Sequence, residues 1–374
     1  MIGKGHIMVS FERALNRSLD LAKKAEIEKL LEQLESGQLN EGVSADLIAK
    51  ITGLLKEVKD SAIIQDILIR LYKSTFDQRI DAINLEKEIP PKDGEDFKRK
   101  FYAIRGSYDE KNEFLDILEK GVFDFKSIDN NSVVSIGSIV PMTNQFIMSM
   151  TQEMTEWTPK MGAKSAVGAG EAFFIYFVAG GKKASSGDFS LGSNKYEVKA
   201  TKMSNGSGGG RVKGMGKYSP NLVQHLDFFM EELKAIHGRK LKLPKNPNSY
   251  NFRTKFKELN SILPDTKEKT KELLAKLFTK IYGSTDLGWL DNAITKRGNV
   301  VDDFHKHFGY YQASSYIEAE NFKKYIFINT ANQTILVTSI KQLKKHIDNE
   351  VIAVKGSCSF NDAVSSTYQF GLAN

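Results

Sequence analysis

Gly187-Asp188-Phe189-Ser190-Leu191-Gly192-Ser193-Asn194-Lys195-Tyr196-Glu197-Val198-Lys199-Ala200 reads as two short strands joined by Gly192-Ser193. Gly followed by Ser is a favoured two-residue hairpin loop, because Gly takes the positive φ of a type II′ turn. In that register Leu191 faces Asn194, Ser190 faces Lys195, Phe189 faces Tyr196 and Asp188 faces Glu197. Opposed residues of an antiparallel pair project to the same side within roughly 5 Å. Lys199, two residues after Glu197, points to that side as well. Phe189, Leu191, Tyr196 and Val198 form the other, apolar face. Two facing carboxylates repel unless a cation lies between them, so the pattern suggests a metal site. An ordinary solvent-facing hairpin would show the same alternation.

An Asp on one strand and Glu-x-Lys on the next resembles the catalytic signature of the PD-(D/E)XK nuclease superfamily, the restriction-endonuclease-like fold. Its order is a helix carrying a Glu, a hairpin carrying Asp and (Asp/Glu)-x-Lys, then a helix. Glu171 in Gly168-Ala169-Gly170-Glu171-Ala172-Phe173-Phe174 is the candidate upstream acid. Residues 219–237 supply a candidate downstream helix, with Ser219 as N-cap and Pro220 at the first helical position. Gly187, rather than Pro, precedes Asp188. The Gly-x-Gly-Glu and Glu-Val-Lys context resembles phage-encoded nucleases in style.

The resemblance implies metal-dependent hydrolysis of a phosphodiester by an endonuclease or exonuclease. Asp188, Glu197, Lys199 and Glu171 would be the catalytic set. Asp188, Glu197, Glu171 and the carbonyl of Val198 would hold Mg²⁺ or Mn²⁺, with Lys199 orienting or deprotonating the attacking water. Gln224, on the downstream helix, is an additional candidate near the site.

The bare (Asp/Glu)-x-Lys pattern is weak evidence. It recurs at Glu57-Val58-Lys59, Asp96-Phe97-Lys98, Glu232-Leu233-Lys234 and Asp265-Thr266-Lys267. Those copies fall in patterns of helical period or in polar connectors. Only the copy at 197–199 lies on an expected strand opposite a second acid.

Charge distribution points the same way. The net charge of the 374 residues is +7, yet Lys195 to Lys257 holds fourteen Lys or Arg against four acids, a local balance of +10. The basic excess begins at the proposed site, and a phosphate backbone is the polyanion that matches it. A basic surface kept for solubility is the plainer explanation. Within this stretch, residues 203–217 are rich in glycine and basic residues, a loop by composition. Lys202, Arg211, Lys213 and Lys217 are its candidate phosphate contacts. The segment does not have Walker A spacing. A plain connector is the competing reading.

The composition, 41% hydrophobic and 26% charged, is that of a globular protein. The longest apolar run, Ala172 to Ala179, is far short of a bilayer span. The N-terminus has no evident secretory signal. A single cysteine excludes an internal disulfide and a cysteine-based zinc site. A cytoplasmic location is expected, in the host cytoplasm or the virion if the chain is phage-encoded.

The fold class expected is mixed α/β in three parts: a helical module over 1–121, a nuclease-like core over 122–240, and an α/β region over 241–374. Leu15, Leu19, Ala22, Ile27, Leu30, Leu31 and Leu34 recur at helical spacing, and 45–55, 62–72, 95–104 and 109–118 continue the style. Pro90-Pro91-Lys92-Asp93-Gly94 is a break. This module is expected to serve self-association or partner docking. Val133 to Val140 reads as a strand, and Thr143 to Glu156 as a helix whose methionines are core packing. Helices are expected around 253–259 and 266–282. Strands are expected over 324–329, 334–338 and 351–354, with a basic helix over 339–347. This last portion either stands alone or returns to extend the nuclease sheet. His305 and His307, two apart, suit a strand rather than one helix face, and the segment around them reads as polar surface.

Two functions compete with a DNA nuclease. One is a DNA-binding or virion-associated structural protein keeping the fold without turnover. The other is an interaction protein with solvated hairpin charges.

Overall fold

The computed structural model describes residues 4–35, 41–157, 167–185, 188–201, 300–357, 359–360 and 367–373, with 210–211, 228, 231–236, 238, 250–251, 268–269, 271–273, 275–276 and 279 between them. The chain divides into two compact units, Met1–Glu86 with Pro90–Glu119, and Lys87–Ile89 with Lys120–Asn374.

The first unit is helical: α1 (Lys4–Glu35), α2 (Glu41–Leu55), α3 (Ser61–Glu86), α4 (Pro91–Ala103) and α5 (Tyr108–Lys120), whose last residue belongs to the second unit. Ile27, Leu31 and Leu34 of the expected stripe are buried against Ile51, Ile63, Ile67 and Leu71. Leu19 of the same stripe is 51% exposed, while the neighbouring Asp20 is buried. Asp20 accepts hydrogen bonds from the backbone amides of Lys59 (3.1 Å) and Asp60 (2.9 Å). It thereby satisfies donors ahead of α3 that would otherwise lack partners. The start of α5 is a capping box: Ser107 Oγ accepts from the Glu110 amide and Glu110 Oε2 from the Ser107 amide. Pro90-Pro91, expected as a break, is also a start, since Pro91 opens α4.

The second unit is built on a six-stranded mixed sheet. Its strands are β1 (Val133–Ser135), β2 (Gly181–Lys183), β3 (Phe189–Leu191), β4 (Asn194–Thr201), β7 (Lys324–Asn329) and β8 (Thr334–Thr338), in the order β1-β8-β7-β4-β3-β2. β4 and β7 are parallel, and the other neighbours are antiparallel. Between β1 and β2 in sequence lie α6 (Gln145–Thr155) and α7 (Glu171–Phe177); α8 (Val300–Ala319) immediately precedes β7, and α9 (Ile340–Asp348) follows β8. A smaller sheet joins β5 (Gly210–Arg211), β11 (Thr367–Leu372) and β9 (Ile352–Ser357), and β6 (Tyr250–Asn251) pairs with β10 (Ser359–Phe360). Among the described residues, no helix is long and apolar enough to cross a membrane.

Several sequence expectations change here. The strand expected over 133–140 stops at Ser135 and tightens into a 3₁₀ turn, Ile136–Ser138. Residues 324–338 bring β7 and β8 into the sheet that carries the acids, the second of the two alternatives for this region. Gly210 and Arg211, read as loop, pair with Phe370 and Gln369. His305 and His307 lie on α8, where residues two apart do not share a face. Most of 219–237, 253–259 and 266–282 lies outside the described residues; residues 231–236 are helical.

The helices α7 and α8 cover opposite faces of the sheet. A Cβ built on Gly170, which caps α7, would lie 2.7 Å from Ile328, 3.2 Å from Val198 and 3.4 Å from Ala200. On α8, Tyr316 bonds to Glu197, and the Ala313 carbonyl accepts from Tyr325. Val198 and Glu197 alternate along one strand, so the two helices lie on different sides. β4 is therefore enclosed on both faces.

Candidate active site

The β3–β4 hairpin has the register read from the sequence: Phe189 pairs with Tyr196, Ser190 with Lys195 and Leu191 with Asn194. Gly192 has φ +58, and Ser193 is not in the positive-φ region, as a type II′ loop requires. At the open end of the hairpin the Asp188 amide donates to the Tyr196 carbonyl at 3.4 Å. Asp188 Oδ2 then accepts the Val198 amide at 2.8 Å. The carboxylate takes over where the ladder stops, and this bond fixes one of its oxygens against β4.

Glu197 and Lys199 are 4% and 8% exposed. A solvent-facing hairpin does not bury its charges, so that reading of these two residues is set aside. Lys199 Nζ donates to Glu197 Oε1 in a short ion pair, and Tyr316 Oη donates to the same oxygen at 3.2 Å. Burial raises the Glu197 pKa above the ordinary carboxylate range, Asp188 adds to the rise, and Lys199 and Tyr316 oppose it. The Tyr316 phenol is likewise raised, first by burial and then by the charges of Glu197 and Asp188.

Glu171 opens α7 on the other face of the sheet. Gly170, in the left-handed region at φ +79, turns the chain into the helix. A Cβ on Gly168 would lie 2.6 Å from Glu171 Oε1, so the glycine lets the carboxylate fold back over the turn. Lys183 on β2 donates to Glu171 Oε2 at 3.2 Å and to the Asp188 carbonyl at 3.4 Å. Burial pushes the Glu171 carboxyl up to about 8, helped by the Asp188 charge and opposed by Lys183. Asp188 is thus the junction of the site: its charge acts on Glu171 from one face and on Glu197 from the other.

Asp188, Glu197, Lys199 and Glu171 therefore stand around one end of the hairpin. Lys183 and Tyr316 join them and were missed in the sequence. Gly180-Gly181-Lys182-Lys183, between the Glu171 helix and the Asp188 strand, was the available signal for Lys183. Tyr316 carried none, because its contact joins residues 119 positions apart. Arg211 is described through its backbone alone, and Lys202, Lys213, Lys217 and Gln224 lie outside the described residues. Of the other Glu/Asp-x-Lys copies, Asp96-Phe97-Lys98 lies in α4 and Glu232-Leu233-Lys234 is helical, as expected. Glu57-Val58-Lys59 follows α2, and 265–267 is outside the described residues.

Among the described residues, no three carboxylate, imidazole or thiol groups draw together tightly enough to form a ready metal cage. The carboxylates are near enough to perturb one another without having collapsed onto one point. Magnesium asks for less than a cage: one or two carboxylates, with water in its remaining positions. The protein donors to Glu197 converge on Oε1, and the Val198 amide engages Oδ2 of Asp188. The donor set is hard oxygen, which fits Mg²⁺ or Mn²⁺.

No family model, curated protein or solved structure matches this chain.

Proposed function

We propose that this chain is a metal-dependent nuclease with a restriction-endonuclease-like core, hydrolysing phosphodiester bonds of DNA. The observation that carries the reading is the buried Glu197–Lys199 pair on β4, a strand enclosed on both faces, beside the carboxylate of Asp188. A scaffold gains little from such a pair, since apolar residues of similar size are often as stable or more so. The order of parts supports it too: a helix opening with Glu171, then a hairpin with Asp188 and Glu197-Val198-Lys199, with helix α8 before the parallel strand β7.

Asp188, Glu197 and the Val198 carbonyl would hold Mg²⁺ or Mn²⁺, with Glu171 reaching the ion through water. When bound, the ion supplies a water of lowered pKa and stabilises charge on the phosphoryl oxygens. The protein's own contribution is positional. The Val198 amide and Tyr316 each fix one oxygen of a carboxylate, so that Asp188 and Glu197 do not rotate freely. Lys199, held by Glu197 in a nearly dry site, presents its ammonium to the attacking water or to the developing negative charge. The local basic excess after Lys195 would hold the DNA backbone.

A specific observation favours a second reading, a DNA-binding or virion-associated structural protein without turnover. Glu197 and Glu171 each already have an ammonium partner without an ion. One assay separates the readings. Purified protein is incubated with supercoiled and linear DNA, with and without Mg²⁺. Removing one member of a buried ion pair destabilises by about 3–5 kcal/mol, so Glu197→Gln and Lys199→Met are compared with the double variant as a folding control. The expected result is Mg²⁺-dependent cleavage by the parent and a loss of about 10²–10⁴-fold in each single variant, with DNA binding at low salt retained. Equal turnover in parent and variants rejects the nuclease. Binding without cleavage in the parent supports the structural protein.

A further inference from the structure

We propose that Lys183 is the resident counter-ion of Glu171, the charge a divalent cation must displace to use that carboxylate. The proposal rests on the metal-site reading above and assigns a role to a residue outside its Asp/Glu-x-Lys pattern.

Three observations converge. Lys183 pairs with Phe189 across the β2–β3 ladder, so its side chain projects to the face of Phe189, Tyr196 and Val198. That is the face on which α7 lies, and Lys183 Nζ meets Glu171 Oε2 there at 3.2 Å. Both side chains are largely buried, at 13% and 15% exposure. When ionised, a carboxyl so placed needs an opposite charge. The same ammonium also reaches the Asp188 carbonyl at 3.4 Å. It therefore stands between the upstream acid and the hairpin, on the opposite side of Asp188 from the Glu197–Lys199 pair.

In the absence of an ion, Lys183 keeps Glu171 against the hairpin and opposes the effect of the Asp188 charge on it. An entering cation competes with the ammonium for Glu171. Lys183 is thus a positioning residue with an electrostatic penalty built in, and that penalty separates it from a merely structural lysine. Removing a structural lysine weakens whatever the site binds. Removing a competing charge strengthens cation binding.

The test uses the full-length protein and Mn²⁺ alone, followed by electron paramagnetic resonance without DNA. Lys183→Met is expected to bind Mn²⁺ at least about fivefold more tightly than the parent, the effect of one unit charge about 4 Å away even with the screening of bulk water. Lys183→Arg, which keeps the charge, is expected to stay within about twofold of the parent by the same argument. Lys183→Gln provides a second neutral variant, and thermal melts establish that each variant is folded. Equal or weaker Mn²⁺ binding by both folded neutral variants overturns the proposal while leaving the metal site standing. Absence of Mn²⁺ binding by the folded parent overturns the metal site itself, and the role of Lys183 with it.

Discussion

At Glu171 burial and the charge of Asp188 push the carboxyl pKa up, while Lys183 and the Gly168 amide pull it down; the net result is about 8, against an ordinary 4.5. The native protein then holds this proton more tightly than the unfolded chain does. Between about 4.5 and 8 it carries more protons than the unfolded chain, so this group's contribution to stability falls as pH rises through that window and is level below it. Glu171→Gln abolishes the titration. The variant is expected to match the parent near the lower limit and to exceed it above the upper one, by a few kcal/mol at most. Urea denaturation at the two ends of the window measures the difference; a parent–variant gap that does not change with pH contradicts the account. Cleavage by the same variant is expected to fall, the usual exchange of stability for function at a site of crowded like charge. Glu197 is raised for the same first reason, burial, but Lys199 lies against it and opposes the shift more directly.

At the scale of elements, α7 and the β3–β4 hairpin each turn on one glycine with a different physical requirement. Gly192 sits at φ +58 with nothing within 4 Å of a built Cβ, so Gly192→Ala meets backbone strain alone. A loss of roughly 1–2 kcal/mol is expected, with the site intact. Gly170 combines φ +79 with a Cβ position 2.7 Å from Ile328 and 3.2 Å from Val198. Gly170→Ala must lift the start of α7 from the sheet as well as strain the backbone, so roughly 2–4 kcal/mol is expected. Its neighbour Glu171 would move with the helix, and activity should fall. Urea midpoints and cleavage rates of the two variants, measured side by side, check the contrast. Equal stability losses would show that packing against β4 and β7 contributes nothing.

This contrast also marks what was legible in the sequence. The hairpin register was, because a two-residue Gly-Ser loop and alternating side chains are local facts. The existence of the helices α1 to α5 was, through their period, although α3 runs on to Glu86 beyond the stretch 62–72 and α4 starts at Pro91 rather than at 95. The helix α8 was not: Val300-Val301-Asp302-Asp303 and Gly309-Tyr310-Tyr311 mix strand formers, acids and glycine, and its packing against the sheet outweighs its weak propensity. With α8 went Tyr316, and with it the knowledge that the Glu197 face is covered. Burial of the Glu197 face of β4 depends on α8, more than a hundred residues away, and alternation along eight residues carries no trace of it.

Over the whole molecule, charge is the property that would link the proposed site to a nucleic-acid substrate. The chain carries +7, but residues 195–257 carry +10, so the remainder is slightly acidic. On the proposed function, the basic stretch is where DNA would be held, and such attraction works through release of condensed counter-ions. Each lysine or arginine that neutralises a phosphate then contributes about one unit to the slope of log K against log salt concentration. Lys213→Ala with Lys217→Ala is expected to flatten that slope by about two and to weaken binding uniformly across DNA sequences. Lys92→Ala, from the helical unit, is expected to leave the slope unchanged. Fluorescence anisotropy of a labelled duplex across a salt series, in the cleavage-deficient Glu197→Gln background, measures all of these. An unchanged slope in the double variant removes these lysines from the interface. A slope near zero in the parent itself would mean that the basic excess serves something other than a nucleic acid.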